Sequence, residues 1–202
     1  ALLPAAPAAK LATDTPRRGT LISTGFLGTP YSLDALADTG QQSLVYDLLL
    51  RTALPSWGHM ITAGVTTIWE RWNADTSNAE MNSYNHYALG AVNGFVFRRI
   101  AGIDPVAPGF ARWRFDPVHD PRVPRGGARY DSVAGRIETA WELKSGGGFA
   151  ARITVPANTV AELHLPAPSV ARVREGGQPL DRARGITVKG MQGGRLVVEA
   201  GS

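Results

Sequence analysis

Apolar residues recur at helical spacing in the first half of the chain, up to about Pro105. The clearest case covers residues 41–54, where one face is apolar and Pro55 ends the run. That face carries Leu44, Val45, Leu48 and Leu49. Similar spacing predicts further helices over residues 5–12, 32–37, 56–63 and 85–101. We expect Gly102 to cap the last of these helices.

The period of the apolar residues becomes two after Pro108, which is typical of half-buried strands. Two amphipathic stretches, residues 136–143 and 149–155, flank a Ser-Gly-Gly-Gly turn at residues 145–148. This arrangement predicts a β-hairpin, because glycine adopts the backbone angles that tight turns require. Further alternating or short apolar runs predict strands at residues 111–115, 161–165, 186–188 and 196–198.

The change of period divides the chain into two predicted domains. Helices are expected over residues 1–105 and an antiparallel β-sandwich over residues 106–202. The helices of the first domain could form a small bundle of their own. They could equally be the last part of a larger helical array, because each one-sided apolar hairpin must cover that face.

Composition narrows the classes of function. The chain has 202 residues, a formal net charge of +4 and no cysteine, so it has neither disulfides nor thiolate metal ligands. Its basic residues are scattered rather than gathered in one stripe, which argues against a nucleic-acid partner. No apolar run is long enough to cross a bilayer, and we therefore expect a soluble protein without a membrane partner.

The first ten residues resemble a targeting segment only superficially. The stretch has no basic start, and Pro4 and Pro7 interrupt its apolar run. The chain also does not begin with methionine. We interpret this opening as an interior piece of a longer protein rather than as a signal peptide.

Residues 64–72, with the sequence GVTTIWERW, concentrate more chemistry than any other stretch. Glu70 lies between Trp69 and Trp72 and beside Arg71. Indoles stack on sugar rings and a carboxylate transfers protons, so this combination is typical of a sugar-binding cleft. The alternative is an exposed glutamate that pairs with Arg71, and the residues alone leave both interpretations open.

His86 belongs to a second polar and aromatic run, MNSYNHY at residues 81–87, and is predicted to open a helix. In that position its imidazole could bond to nearby backbone. It could instead donate a hydrogen bond to a hydroxyl group of a ligand. The sequence leaves these two roles open.

The sequence predicts neither a metal ion nor a cofactor. The other histidines, His59, His119 and His164, are not spaced as metal ligands. Residues 24–30 are rich in glycine, but they lack the Lys-Ser/Thr pair that ends a phosphate-binding loop. We expect these residues to form a tight bend before a helix.

Several stretches match a known family in the right order. They are residues 23–31, 55–57, 64–72, 81–92, 108–110, 130–137 and 155–159. Together they resemble the C-terminal part of bacterial α-L-rhamnosidases of glycoside hydrolase family 78. The match covers nearly the whole chain and is weakest after about Pro168.

The resemblance implies a six-hairpin α/α toroid, of which this chain holds the last helices, followed by a β-sandwich. It also implies hydrolysis of terminal α-L-rhamnose from a rhamnoside, with inversion at the anomeric carbon. Glu70 would be the general base that activates water, and His86 would contact the sugar. Trp69 and Trp72 would line the pocket.

The same resemblance implies a general acid in a motif N-terminal to this segment, since inversion requires two carboxyl groups. This chain lacks that motif, and neither Asp75 nor Glu80, the acids nearest to Glu70, is predicted to replace it. The N-terminal part of the same enzyme would then be the partner, and the chain alone would be inactive. Asn73 also replaces an expected aspartate. The alternative function is a non-catalytic carbohydrate-binding or structural module.

Overall fold

A computed structural model of the chain describes residues 5–73 and 83–201. The structure divides into a helical unit, Ala1–Phe95, and a strand-rich unit, Val96–Ser202. This order of helices and then strands confirms the predicted fold class. Within the described residues, no helix has both the length and the apolar character needed to cross a membrane.

The described part of the first unit contains six helices. They are α1 (Ala5–Arg17), α2 (Thr29–Asp38), α3 (Gln42–Leu50), α4 (Trp57–Thr62), α5 (Tyr87–Gly90) and α6 (Val92–Phe95). The first four confirm the helices predicted over residues 5–12, 32–37, 41–54 and 56–63, with shifted ends. Val45 of α3 and Met60 of α4 are fully buried, so the predicted apolar faces do form the core of this unit.

The helix predicted over residues 85–101 is interrupted rather than continuous. A turn at Ala91 separates α5 from α6, and Val96–Ile100 is a π-helix. Gly90 and Gly94 weaken the helical preference of this stretch, because glycine loses more backbone entropy in a helix than other residues. The segment ends at Gly102 as predicted, with a φ of +83° that favours glycine.

The described part of the second unit contains ten strands. They are β1 (Asp104–Pro105), β2 (Arg112–Phe115), β3 (Arg125–Ser132), β4 (Gly135–Leu143), β5 (Phe149–Thr154), β6 (Val160–Leu165), β7 (Arg174–Glu175), β8 (Gln178–Pro179), β9 (Ile186–Gln192) and β10 (Arg195–Gly201). One sheet has the order β1-β2-β6-β10-β9, a second has the order β3-β4-β5, and β7 pairs with β8. The predicted hairpin around residues 145–148 is confirmed as β4 and β5.

One strand pair departs from the all-antiparallel expectation. β2 and β6 are parallel, with Arg112 opposite Val160 and Phe115 opposite Leu163. The chain forms the whole second sheet, β3-β4-β5, between these two strands. A connection of that length can return to the same edge and run parallel, whereas a two-residue hairpin cannot.

The core of the second unit lies between its two larger sheets. Trp113 of β2 and Leu196 of β10 come from the five-stranded sheet, and Ile137 and Trp141 of β4 come from the three-stranded sheet. All four side chains are at most 2% exposed. Alternate residues of β2 and β4 point into this layer, as the period of two predicted. The predicted β-sandwich is therefore confirmed.

Candidate active site

The predicted site residues lie on two irregular segments, one on each side of residues 74–82. The backbone N–H of Glu70 donates to the carbonyl of Ser83 over 2.9 Å. The backbone N–H of His86 donates to the carbonyl of Ile68, also over 2.9 Å. The two segments thus run antiparallel and place Glu70 and His86 on neighbouring stretches of backbone.

The carboxylate of Glu70 is held by the backbone of the paired segment. The N–H of Ser83 donates to Oε2 of Glu70 over 2.7 Å, a length typical of a hydrogen bond to a charged acceptor. The Glu70 side chain is half-buried. Within the described residues, Oε1 has no hydrogen-bond partner. The backbone of the paired segment therefore orients the Glu70 carboxylate through one of its oxygens.

The ring of His86 is also oriented by the backbone. His86 is the N-cap of α5, and its Nδ1 accepts a hydrogen bond from the N–H of Ala88 over 3.2 Å. A neutral imidazole that accepts at Nδ1 carries its proton on Nε2. Nε2 has no partner among the described residues. His86 therefore bonds to nearby backbone and still presents a donor, so its two predicted roles are compatible.

Two aromatic rings that the sequence did not single out stack on this imidazole. The ring centroid of Phe26 lies 4.7 Å from that of His86, with an interplanar angle of 24°. The ring of Tyr87 lies 5.1 Å away at an angle of 14°. Tyr87 follows His86 directly in the sequence, whereas Phe26 comes from the glycine-rich stretch far upstream.

The two predicted wall residues have different surroundings. Trp69 makes an edge contact with Tyr84, with ring centroids 6.1 Å apart. Trp72 makes an edge contact with the buried ring of Trp57 at 5.1 Å. The indole N–H of Trp72 donates to the carbonyl of Thr24 over 3.2 Å. Trp72 therefore anchors the Glu70 segment to the glycine-rich stretch.

That glycine-rich stretch forms the predicted tight bend before a helix. The backbone N–H of Thr29, where α2 begins, donates to the carbonyl of Gly25 over 3.0 Å. The Thr29 hydroxyl bonds to the carbonyls of Thr24 and Gly25 at 3.1 and 2.9 Å. A Cβ atom added at Gly28 would lie only 3.0 Å from Cβ of Thr24, so a larger residue at this position would require Thr24 to shift.

A cavity of about 810 Å³ is lined by both paired segments, with residues 65–68 from one and residues 85–87 from the other. Asn85, His86 and Asn93 contribute polar groups to its lining, and Ile61 and Tyr87 contribute apolar surface. Glu70 is not among the lining residues. Sequence reasoning included Asn85 in the polar run at residues 81–87 without giving it a role, and it missed Asn93, because an isolated amide carries no spacing signal. Their side chains both donate and accept hydrogen bonds, as recognition of hydroxyl groups requires.

The two acids nearest to Glu70 in the sequence, Asp75 and Glu80, lie outside the described residues, as do residues 81–82 of the second motif. Among residues 5–73 and 83–201, no three histidine, aspartate or glutamate side chains come together as a metal site would require.

Two family models cover most of the chain. Residues 2–100 match the bacterial alpha-L-rhamnosidase 6 hairpin glycosidase domain. Residues 102–179 match the bacterial alpha-L-rhamnosidase C-terminal domain. The chain belongs to the bacterial α-L-rhamnosidase family. The family resemblance that the sequence motifs indicated is therefore confirmed.

Individual α-L-rhamnosidases agree with this assignment. The enzyme of Streptomyces avermitilis is 41% identical over 158 residues, which are 76% of this chain and 15% of that protein. The enzyme of Alteromonas sp. (strain LOR) is 36% identical over 174 residues, which are 83% of this chain and 19% of that protein. The chain thus spans less than a fifth of the length of these relatives and corresponds to a fragment of such an enzyme.

Solved α-L-rhamnosidase structures share the fold. The crystal structure of the S. avermitilis enzyme complexed with L-rhamnose gives a TM-score of 0.80 at 35% identity, over 96% of this chain and 19% of that chain. The structure of the Dictyoglomus thermophilum enzyme gives a TM-score of 0.76 at 31% identity, over 93% of this chain and 21% of that chain.

Proposed function

We propose that this α-L-rhamnosidase segment carries the general base of an inverting glycosidase and that the rest of the enzyme supplies the general acid. The observation that carries the proposal is the hydrogen bond from the Ser83 N–H to Oε2 of Glu70. It leaves Oε1 without a partner in the described structure, on a half-buried carboxylate. A general base needs this combination of a fixed orientation and one open oxygen.

In the proposed reaction, Oε1 of Glu70 accepts a proton from water as the water oxygen bonds to the anomeric carbon. The bond from that carbon to the glycosidic oxygen breaks on the opposite face. The general acid protonates the departing oxygen, so the products are free L-rhamnose and the alcohol. The second carboxyl must lie about 6.5–9.5 Å from the first, to leave room for the water.

His86 and the tryptophans have supporting roles in this proposal. The Nε2–H of His86 is suited to donate a hydrogen bond to a sugar hydroxyl, because Nδ1 is already occupied by Ala88. Trp69 offers a half-buried indole for contact with the sugar ring. Trp72 has its indole N–H bonded to Thr24, so we assign it to holding the Glu70 segment against the glycine-rich bend.

The stereochemistry of the product tests the proposal. Hydrolysis of an aryl α-L-rhamnoside by the complete enzyme that contains this chain should release β-L-rhamnose first, because water attacks opposite the leaving group. Proton NMR of the anomeric signals within the first minutes distinguishes this product before mutarotation equilibrates the two anomers. A solution of freshly dissolved α-L-rhamnose without enzyme gives the rate of mutarotation as the control. Initial release of α-L-rhamnose, or no hydrolysis at all, would contradict the proposal.

A further inference from the structure

Phe26 lies within the tight bend and packs against the imidazole of His86. Its ring is 46% exposed, and its centroid lies 4.7 Å from that of His86 in a stacked arrangement. Stacked aromatic contacts at this distance are favourable beyond the area that they bury. The second ring on the imidazole, Tyr87, is 86% exposed and is therefore the weaker restraint.

The bend that carries Phe26 is held by hydrogen bonds from within and from outside it. The hydroxyl of Thr29 bonds to two carbonyls within the bend. The indole N–H of Trp72 bonds to the Thr24 carbonyl from outside it. Because Trp72 is two residues after Glu70, the same bend contacts both the segment of Glu70 and the ring of His86.

The imidazole of His86 has one restraint in its plane and one on its face. The bond from the Ala88 N–H to Nδ1 selects the Nε2–H tautomer only while the ring lies in line with that donor, and the bond alone permits the ring to tilt away from it. Stacking on Phe26 opposes such a tilt, since a tilted ring would lose the contact. The two restraints together define where Nε2–H points.

We propose that Phe26 is a positioning residue that holds the His86 ring with its Nε2–H directed towards the substrate. The direction towards a sugar rests on the proposed function. The claim that Phe26 restrains the ring is independent of that function, because the restraint involves only contacts within this chain.

The first test observes the His86 ring in the chain itself. Two-bond ¹H–¹⁵N correlation spectra report which ring nitrogen carries the proton, and a His86→Gln variant assigns the signals. Wild-type chain should show the Nε2–H form. Without the Phe26 ring, the imidazole should tilt away from the Ala88 N–H for part of the time, so Phe26→Ala should shift the ¹⁵N signals towards averaged values. Phe26→Tyr keeps the stacked ring and should show the wild-type pattern. Leu27→Ala is the matched control, because Leu27 lies on the same bend and is 89% exposed.

The second test measures hydrolysis of an aryl α-L-rhamnoside by the complete enzyme. Phe26→Ala should lower kcat by about two- to tenfold, the range of one aromatic contact, and Phe26→Tyr and Leu27→Ala should leave it unchanged. Unchanged ¹⁵N signals in Phe26→Ala would overturn the positioning role, even if KM rose through lost sugar contact. If the proposed function is wrong, a variant without the Glu70 carboxylate should turn over normally. The His86 spectra should then still change in Phe26→Ala.

Discussion

Glu70→Gln in the complete enzyme should lower kcat for an aryl α-L-rhamnoside by about 10²–10⁴-fold, the usual contribution of a general base. The amide of glutamine keeps an oxygen that accepts the hydrogen bond from the Ser83 N–H, so the paired segments should remain intact. It cannot accept a proton from water, and the loss therefore falls on the chemical step. Steady-state kinetics should show the change in kcat rather than in KM.

A matched control separates this effect from a general loss of charge. Glu175 is an exposed glutamate in the short strand β7 of the second unit, and Glu175→Gln should leave turnover unchanged. Circular dichroism should give the same spectrum for both variants and the wild type. Turnover of Glu70→Gln within about threefold of wild type would exclude Glu70 as the base.

Trp141→Ala should destabilise the strand-rich unit by about 3–5 kcal/mol, the usual cost of removing a large buried aromatic side chain. Trp141 is 2% exposed and stacks on Phe149, with ring centroids 6.0 Å apart. Its indole N–H donates to the carbonyl of Ile100 over 2.7 Å. The substitution therefore leaves both a cavity and a carbonyl without its partner.

Urea unfolding of the chain, followed by circular dichroism, measures this loss. Trp141→Phe is the milder variant, because it keeps a ring but removes the N–H donor, and it should cost about 1–3 kcal/mol. Trp141→Phe remains informative if Trp141→Ala does not fold. A change in the free energy of unfolding below about 0.5 kcal/mol for Trp141→Phe would show that neither the indole N–H nor the ring shape matters.

The pKa of His119 also reports on the packing of Trp141 and Phe149, because its ring contacts both of theirs. Its ring lies 6.4 Å from that of Trp141, and burial lowers the pKa of His119 below its usual value. The unfolded chain therefore binds a proton at His119 more readily than the folded chain does. As the pH falls below the usual pKa of histidine, this difference lowers the free energy of unfolding. Removing Trp141 should expose the imidazole to water and raise its pKa back towards the usual value.

Much of the fold could be predicted from the sequence, because positions that are buried at regular intervals carry regularly spaced apolar residues. The apolar face of α3 and the alternation in β4 each repeat over several residues, and the glycine turn joins β4 to β5 unambiguously. The broken helix before Gly102 was harder to predict. Its apolar residues keep helical spacing, but local glycines and a turn at Ala91 interrupt the hydrogen bonds.

The geometry of the site could be predicted only in part. The residue types around Glu70 indicated sugar chemistry. The bond from the Ser83 N–H to Glu70, however, depends on an irregular pairing of two segments, which has no periodic signal in the sequence. The stacking of Phe26 on His86 joins segments far apart in the sequence. Such contacts depend on tertiary packing, and a single sequence shows only that an aromatic residue sits in a glycine-rich bend.

The identity of Glu70 as the base is tested most directly by chemical rescue. In Glu70→Ala, azide can replace the activated water, because this anion needs no base to remove a proton. The complete enzyme with this substitution should regain turnover as azide is added and should form β-L-rhamnosyl azide, identified by NMR. Failure of azide to raise the rate, or formation of the α-azide, would contradict the assignment of Glu70 as the general base of an inverting rhamnosidase.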